Sequence, residues 1–241
     1  MFTVAAAATL ALAGSGAVPT ATADGGVVIG GGAAILVNNT TCTLGAIGTD
    51  RAGDVVGLTS TACGGPGSPV AAGWQPGTLG TVVAVEPSLD YAVIKFDAAK
   101  VAPTSDFAGF AINGVGPDAT YFQWACRDSQ RNGIKCMRVS TAGVDPDTVV
   151  IHACGNPADS GAPVTVDNLL VGMTRGYFPD DTRCPVWDTT MIGDQIMGDW
   201  EVPQRDKPEV TSINAVLADL NAKGGPGAGF TLTPPVPAPN R

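Results

Sequence analysis

Ser160 lies in a segment whose residue types suit a catalytic nucleophile. It stands between Asp159 and Gly161, and Pro157 and Pro163 keep the segment out of a regular helix. A serine held in a turn of small residues can present both its hydroxyl and its backbone N–H to one reacting carbonyl. The pattern therefore indicates acyl transfer as the chemistry that this segment could perform.

The sequence has few residues that could act as the base for such a serine. A serine hydroxyl is not deprotonated near neutral pH unless a base lies within hydrogen-bond reach. The chain contains 1 histidine, His152, which stands just before Cys154. Histidine-dependent acyl transfer by this chain alone would therefore have to use that residue.

The segment around Ser160 resembles the nucleophile loop of the chymotrypsin-like serine peptidases. That loop reads G-D-S-G-G-P in the family, and its lead-in reads C-x-x-P-x-D-S-G in the bacterial streptogrisin and alpha-lytic branch. This chain has the same lead-in from Cys154, but the loop reads Ala158-Asp159-Ser160-Gly161-Ala162-Pro163, with alanine in place of two glycines. The resemblance covers residues 29–223 and implies a catalytic triad in the order His, Asp, Ser.

The other two triad positions are matched unequally. Asp90-Tyr91-Ala92-Val93 resembles the family's D-x-A-V, whose aspartate orients the catalytic histidine; a turn aspartate at a strand entry is the alternative interpretation. The family's L-T-A-G-H-C corresponds to Leu58-Thr59-Ser60-Thr61-Ala62-Cys63, so alanine stands at the histidine position. The resemblance thus implies a remnant triad of Asp90 and Ser160, with no base at Ala62.

Two further cleft positions carry unusual residues. Ala158 stands where the family has the glycine that forms the oxyanion hole with Ser160, and a Cβ there disfavours the required backbone conformation. His152 corresponds to the floor of the primary specificity pocket, where a side chain points at the substrate's side chain. We interpret His152 as a pocket-lining residue, with a substitute base and an ordinary strand histidine as alternatives.

The strand that borders the pocket also departs from the family pattern. The family reads T-S-G-G there, and its serine contacts the triad aspartate, whereas this chain reads Thr174-Arg175-Gly176-Tyr177. We expect Arg175 to reach Asp90 and to occupy the space beside Ala62. Tyr177 would crowd the mouth of the pocket.

Cysteines and one arginine supply the expected cross-links. The 6 cysteines favour disulfides over metal ligands in an exported chain, and none has C-x-x-C spacing. We expect no metal and no cofactor. The resemblance implies that Arg127 pairs with Asp159 and fixes the nucleophile loop, with the side chains within about 5 Å. It also implies the disulfides Cys42–Cys63, Cys126–Cys136 and Cys154–Cys184.

Strands and turns must position these residues. The chain of 241 residues has 32 glycines, 19 prolines and 6% aromatic residues, which favours short strands over helices. Apolar runs and turn signals predict hairpins from 42–47 with 55–59, from 80–85 with 91–96 and around Asn132-Gly133, a strand at 169–174, and a helix within 210–223 between Ser212 and Gly224. The resemblance implies an all-β fold of two six-stranded antiparallel β-barrels with a short C-terminal helix.

Charge and the N-terminal segment limit location and partners. A formal charge of −9 speaks against nucleic acid and anionic membranes, because phosphate binding needs clustered Lys and Arg. Residues 1–23 have the pattern of a secretory signal with a cleavage site at Ala21-Thr22-Ala23; a buried N-terminal helix is the alternative. No later window predicts a membrane span. We expect a secreted monomer.

Four regions follow along the chain. They are a signal peptide at 1–23, an N-terminal barrel at 24–110, a C-terminal barrel with its helix at 111–223, and a disordered Gly/Pro-rich tail at 224–241. The leading hypothesis for function is a non-catalytic homologue that binds a protein or peptide. A weak or conditional serine endopeptidase using Ser160 with a non-standard base is the second, and a structural scaffold is the third.

Overall fold

The computed structural model describes residues 25–129, 133–142, 147–151, 156–176 and 209–235. Strands make up most of the regular structure in these ranges. The strands up to the middle of the chain are β1 (Val27–Gly30), β2 (Ala34–Val37), β3 (Thr40–Thr43), β4 (Ala46–Thr49), β5 (Val55–Thr59), β6 (Pro69–Ala72), β7 (Gln75–Glu86), β8 (Tyr91–Phe96), β9 (Val101–Thr104), β10 (Asp106–Phe107) and β11 (Phe110–Ala111). The later elements are β12 (Gly114–Val115), β13 (Trp124–Ser129), β14 (Gly133–Ala142), β15 (Thr148–Ile151), β16 (Pro163–Val166), β17 (Leu169–Thr174), β18 (Glu209–Ser212), the helix α1 (Ile213–Lys223) and β19 (Thr231–Leu232).

The first barrel closes because β3 and β4 are consecutive in the chain and pair with strands at opposite ends of the sheet. The hydrogen-bonded order is β4-β5-β8-β7-β6-β2-β3, and every neighbouring pair is antiparallel. β3 runs through Leu44 and Gly45 straight into β4, and the Gly45 N–H donates to the carbonyl of Leu58. With β3 and β4 counted as one bent strand, six strands close the barrel.

The second barrel closes directly. Its order is β17-β16-β13-β14-β15-β18, and β18 pairs back with β17. These six strands are antiparallel, and β12 adds a short parallel strand beside β17. The predicted all-β fold of two six-stranded antiparallel barrels is therefore confirmed.

The two barrels share a buried apolar cluster with the helix. Val93 from the first barrel and Leu170 and Met173 from the second pack in one cluster with Val216 of α1. Each such side chain contributes about 1.5–3 kcal/mol when it leaves water. This cluster holds together the two halves of the molecule that supply the candidate site.

The helix α1 begins and ends where the sequence predicts. The Ser212 hydroxyl accepts a hydrogen bond from the N–H of Ala215 at 3.2 Å, which caps the first turn. Gly224 ends the helix with a φ of 70°, a conformation that favours glycine. Ile213, Val216 and Leu220 form the buried stripe. Within the described ranges, no helix combines the length and apolarity that a membrane span requires.

Two of the three expected disulfides are formed. Cys42 bonds to Cys63 in the first barrel, and Cys126 bonds to Cys136 in the hairpin of β13 and β14. The third expected pair, Cys154–Cys184, lies outside the described residues.

The predicted disorder of the tail is wrong for residues 224–235. The Arg51 N–H donates to the carbonyl of Ala228 at 2.8 Å, the N–H of Gly227 donates to Asp50 at 3.2 Å, and β19 pairs with β4. Four glycines of this stretch have positive φ, so its composition specifies tight turns rather than flexibility. The remaining positions, 236–241, lie outside the described residues.

Candidate active site

A 3₁₀ turn at Pro157–Asp159 shapes the loop that carries Ser160. The Asn156 side chain accepts a hydrogen bond from the N–H of Ala158 at 2.9 Å. In return, the Asn156 N–H donates to the Asp159 carboxylate at 3.1 Å, which completes a capping box. Pro157 suits the first position of the turn because its φ is already fixed and no N–H is needed there. Hydrogen bonds within the segment thus stabilise this conformation.

Ser160 faces inward onto its own turn. Its hydroxyl donates to the carbonyl of Pro157 at 2.6 Å, and the residue is only 2% exposed. The hydroxyl proton therefore points at a carbonyl oxygen, which is no general base. An attacking serine would first have to break this bond and rotate its side chain.

The two N–H groups expected to form the oxyanion hole also donate within the turn. The N–H of Ala158 donates to Asn156 Oδ1, and that of Ser160 donates to the carbonyl of Pro157 at 3.2 Å. An oxyanion hole needs such donors aimed together at the developing charge of the substrate. In this conformation a substrate oxygen would have to displace both internal acceptors. The obstacle is hydrogen bonding, whereas the sequence pointed to the Cβ of Ala158.

Asp90 has its carboxylate occupied by groups of its own site. Ser60 Oγ donates to both carboxylate oxygens at 3.0 and 2.9 Å, the Thr61 N–H donates at 3.0 Å and the Gly176 N–H at 2.7 Å. The Thr61 hydroxyl is a further donor. An ionised carboxylate offers about four acceptor positions. Asp90 is therefore saturated without an imidazole partner.

The main chain of Gly176 fills the space beside Ala62. A Cβ built on Gly176 would fall well inside van der Waals contact with Ala62 Cβ and Ser60 Oγ, and 3.1 Å from the Ser160 hydroxyl. Only a residue without a side chain fits there. The sequence predicted that Arg175 fills this space; the structure puts the backbone of the next residue in it.

Arg175 binds the turn that precedes Asp90. Its guanidinium donates to the carbonyl of Ser88 at 3.2 Å and lies 3.9 Å from the carboxylate of Glu209. The expected contact between Arg175 and Asp90 stays a prediction. The other two expected pocket residues, His152 and Tyr177, lie outside the described residues.

The ion pair expected beneath the nucleophile loop is present. Arg127 Nη2 lies 3.6 Å from Asp159 Oδ2, and the two side chains are 2% and 0% exposed. Arg127 belongs to β13 of the second barrel, so the pair ties this strand to the 3₁₀ turn. A buried charge without a partner is strongly unfavourable, and the pair therefore helps to fix the turn.

A second polar network anchors the turn before Asp90 to the helix. The buried Tyr91 hydroxyl donates to Asp219 at 2.5 Å, and Lys223 binds both Asp219 and Glu86. Burial, reinforced by the Asp219 carboxylate, raises the pKa of Tyr91. Hydrogen bonds from Lys223 and Ser88 lower the pKa of Glu86 from 4.5 to about 2.

Sequence reasoning missed four residues that shape the site. Two of them, Ser60 and Thr61, stand where the family pattern has Ala and Gly, directly before Ala62, the position of the missing base. This substitution was the signal in the sequence, because two added hydroxyl groups can donate hydrogen bonds to the Asp90 carboxylate in place of the missing histidine. The four are Ser60, Thr61, Asn156 and Gly176.

A metal ion would need several ligand side chains placed close together. Within the part of the chain that the structure describes, no group of three or more His, Cys, Asp or Glu side chains is placed to hold a metal ion.

Solved structures of bacterial proteases share this architecture. Nocardiopsis protease matches with a TM-score of 0.57 and 19% identity, over 81% of this chain and 97% of that one. Thermobifida fusca protease A matches with a TM-score of 0.58 and 18% identity, over 81% and 97%. Cellulomonas bogoriensis chymotrypsin matches with a TM-score of 0.56 and 20% identity, over 86% and 100%. No protein-family model and no curated protein matches the sequence. The barrels, the helix and these likenesses together show that the chain has the two-barrel fold of the bacterial chymotrypsin-like serine proteases.

Proposed function

We propose that the protein is a secreted homologue of the chymotrypsin-like serine peptidases that binds a protein or peptide and does not hydrolyse it. The observation that carries this proposal is the inward bond from Ser160 to the Pro157 carbonyl, together with the internal use of both oxyanion-hole N–H groups. The Ser160 hydroxyl and the N–H groups of Ala158 and Ser160 are all hydrogen-bonded within one turn. That turn is stabilised by its own capping box.

The base position supports the same conclusion. Ala62 has a methyl group, which accepts no proton, and the backbone of Gly176 packs against it. The Asp90 carboxylate, which would orient an imidazole, already accepts hydrogen bonds from Ser60, Thr61 and Gly176. Several groups would have to move together before a proton could leave Ser160.

The rate losses that follow removal of catalytic groups favour a complete loss of turnover over weak activity. Removing the histidine of such a triad lowers turnover by about a million-fold. The residual acceleration in triad-deficient enzymes, about a thousand-fold over water, comes from the oxyanion hole and substrate binding. Each lost oxyanion donor costs a further factor of about a hundred or more. With base and donors both compromised, we expect no measurable hydrolysis.

The fold and the disulfides support the rest of the proposal. Cys42–Cys63 and Cys126–Cys136 are the kind of cross-links that persist in an oxidising compartment, which fits export. The solved structures that share the fold are proteases, proteins that take polypeptide substrates. A polypeptide is therefore the ligand class that this scaffold favours. The partner would be bound by the remodelled cleft or by another face.

A conditional serine hydrolase is the second candidate. The observation that favours it is the Arg127–Asp159 pair, which the resemblance to the bacterial branch associates with fixing the nucleophile loop. On this alternative a ligand would open the 3₁₀ turn, and a base from His152 or from the substrate would activate Ser160.

Hydrolysis of a fluorescently quenched casein separates the two candidates. We expect the signal of the wild-type protein to equal that of Ser160→Ala at every protein concentration. Turnover that is present in the wild type and absent in Ser160→Ala would overturn the non-catalytic proposal and support the conditional hydrolase.

A further inference from the structure

Three exposed aromatic residues lie together at the base of the β13–β14 hairpin. Tyr121 is 72% exposed, Phe122 57% and Trp124 42%. The Tyr121 and Phe122 ring centroids are 5.8 Å apart. Adjacent exposed aromatic side chains on a folded protein mark an interaction site more often than a chance arrangement. We call these three residues and Arg138 the aromatic platform.

Arg138 holds the platform in one arrangement. Its guanidinium carbon lies 3.9 Å from the centroid of the Phe122 ring and 4.9 Å from that of Trp124. The same guanidinium donates to the Phe122 carbonyl at 2.7 Å, and Trp124 and Arg138 are directly opposite each other across the two strands. The side chains are thus ordered before any ligand arrives, which lowers the entropy lost on binding.

The backbone is strained where it presents the central ring. Phe122 has a φ of 69°, in the left-handed region that a bulky residue rarely adopts. The N–H of Phe122 donates to the Val139 carbonyl at 2.7 Å, and the Gln123 N–H donates to Thr120 at 3.2 Å, so neighbouring bonds hold the conformation. Strain of this kind is concentrated at functional sites, where the surrounding structure holds it in place. Here it directs a phenylalanine ring outward onto Arg138.

The hairpin is basic on an otherwise acidic protein. Four of the 13 Lys and Arg residues fall in residues 121–139, against one acidic residue, Asp128, while the whole chain has a formal charge of −9. Of the four, Arg127 is buried against Asp159 and Arg131 lies outside the described residues, so the basic side chains at the described surface of the hairpin are Lys135 and Arg138. The local charge is therefore opposite in sign to that of the whole molecule, and it is complementary to an anionic ligand.

We infer that the aromatic platform binds an acidic segment of a partner protein that inserts an aromatic or aliphatic side chain beside Phe122 and Trp124. Tyr, Trp and Arg are the residue types that dominate binding energy at protein interfaces, and Arg138 supplies the charge that faces a partner carboxylate. Nucleic acid is disfavoured by the net charge of the chain. The inference deepens the proposed function, because it names the partner class of a non-hydrolysing binder, and it rests on that proposal.

The test begins with a phage-displayed library of random short peptides selected on the wild-type protein. Enriched peptides are synthesised with a fluorescein label, and their Kd is measured by anisotropy. We expect peptides with net negative charge and at least one Trp, Phe or Leu. Arg138→Glu and Trp124→Ala are each expected to raise the Kd about ten-fold or more. The affinity should also fall as salt is added.

Matched variants make the result specific. Trp74→Ala removes a tryptophan that is 49% exposed and stacks on Phe107 away from the hairpin, and Lys100→Glu reverses an exposed charge elsewhere. Both should leave the Kd unchanged. Circular dichroism and the Tm of each variant verify the fold, and Phe122→Leu provides a second, milder platform change.

Several outcomes would overturn the inference. They are a library with no enriched peptide, enriched peptides without net negative charge, and a Kd that Arg138→Glu and Trp124→Ala leave unchanged. A dimer in sedimentation equilibrium that Arg138→Glu dissociates would assign the platform to a second copy of this chain, which also overturns it. The casein assay is independent: its failure would appear as hydrolysis, whereas failure here appears as unchanged peptide affinity.

Discussion

The hydroxyl of Ser160 lies 2.6 Å from the carbonyl oxygen of Pro157 and donates a hydrogen bond to it. The N–H of Ser160 donates to the same oxygen at 3.2 Å. One carbonyl thus holds both groups that acyl transfer would need, the nucleophile and an oxyanion donor. Restoring activity requires this turn to open as well as a base to be supplied.

Replacing Ala62 by histidine should therefore restore no peptidase activity. The imidazole would meet the backbone of Gly176, an Asp90 carboxylate that is already hydrogen-bonded, and a serine hydroxyl that points away. The measurement is hydrolysis of a quenched casein by Ala62→His, with Ala62→His/Ser160→Ala as its control. Activity that depends on Ser160 would mean that only the base is missing.

Gly176→Ala should destabilise the protein by about 1–3 kcal/mol, because the new Cβ would overlap Ala62 and Ser60. Gly65→Ala is the matched control, since no atom lies within 4 Å of the position that its new Cβ would take, and it should change the free energy of unfolding by less than about 0.5 kcal/mol. Urea denaturation of the wild type and both variants gives the two values. Equal stability of the two variants would refute the close packing at Gly176.

The Arg127–Asp159 pair should behave as a buried ion pair. Arg127→Met leaves the Asp159 carboxylate in a buried site without this cation, so we expect a loss of about 3–5 kcal/mol in the free energy of unfolding. Lys100→Met, which removes an exposed partner of Asp97, should leave the free energy of unfolding nearly unchanged.

A double-mutant cycle identifies the origin of that loss. Arg127→Met/Asp159→Asn should be less destabilised than the sum of the two single variants, because the uncompensated charge is gone. Additive effects would show that Arg127 stabilises the protein by packing alone.

The Glu86–Lys223 contact should make stability depend on acid pH. The folded-state pKa of Glu86 is lowered from 4.5 to about 2, chiefly by Lys223. Its contribution is therefore complete above pH 4.5 and is lost as the pH falls through about 2. The Tm advantage of the wild type over Glu86→Gln should shrink across that window. An advantage that stays constant from neutral pH to pH 2 would contradict this role of Glu86.

The sequence predicted the strands and the helix better than the hydrogen bonding of the candidate site. Hairpin patterns and the Ser212 and Gly224 caps are local signals, and they located the strands and the helix. The pairing of Arg127 with Asp159 followed from the family pattern. The inward turn of Ser160 did not, because it depends on the torsion of one side chain and on where Asn156 places its amide oxygen.

Two other differences have the same physical origin. Arg175 was expected beside Ala62 because it stands where the family's serine contacts the triad aspartate, but the Gly176 backbone packs there and its N–H binds Asp90. The glycine-rich stretch after α1 was expected to be disordered from composition. Its positive-φ turns instead bring Ala228 to Arg51, a long-range contact that composition does not report.

Reaction of Ser160 with a fluorophosphonate probe tests the central claim most directly. Such probes label a serine whose hydroxyl is activated and whose oxyanion hole can hold the phosphonyl oxygen. Intact mass spectrometry of the wild-type protein after prolonged exposure should show no added mass, as for Ser160→Ala. Stoichiometric labelling of the wild type that Ser160→Ala abolishes would contradict the account.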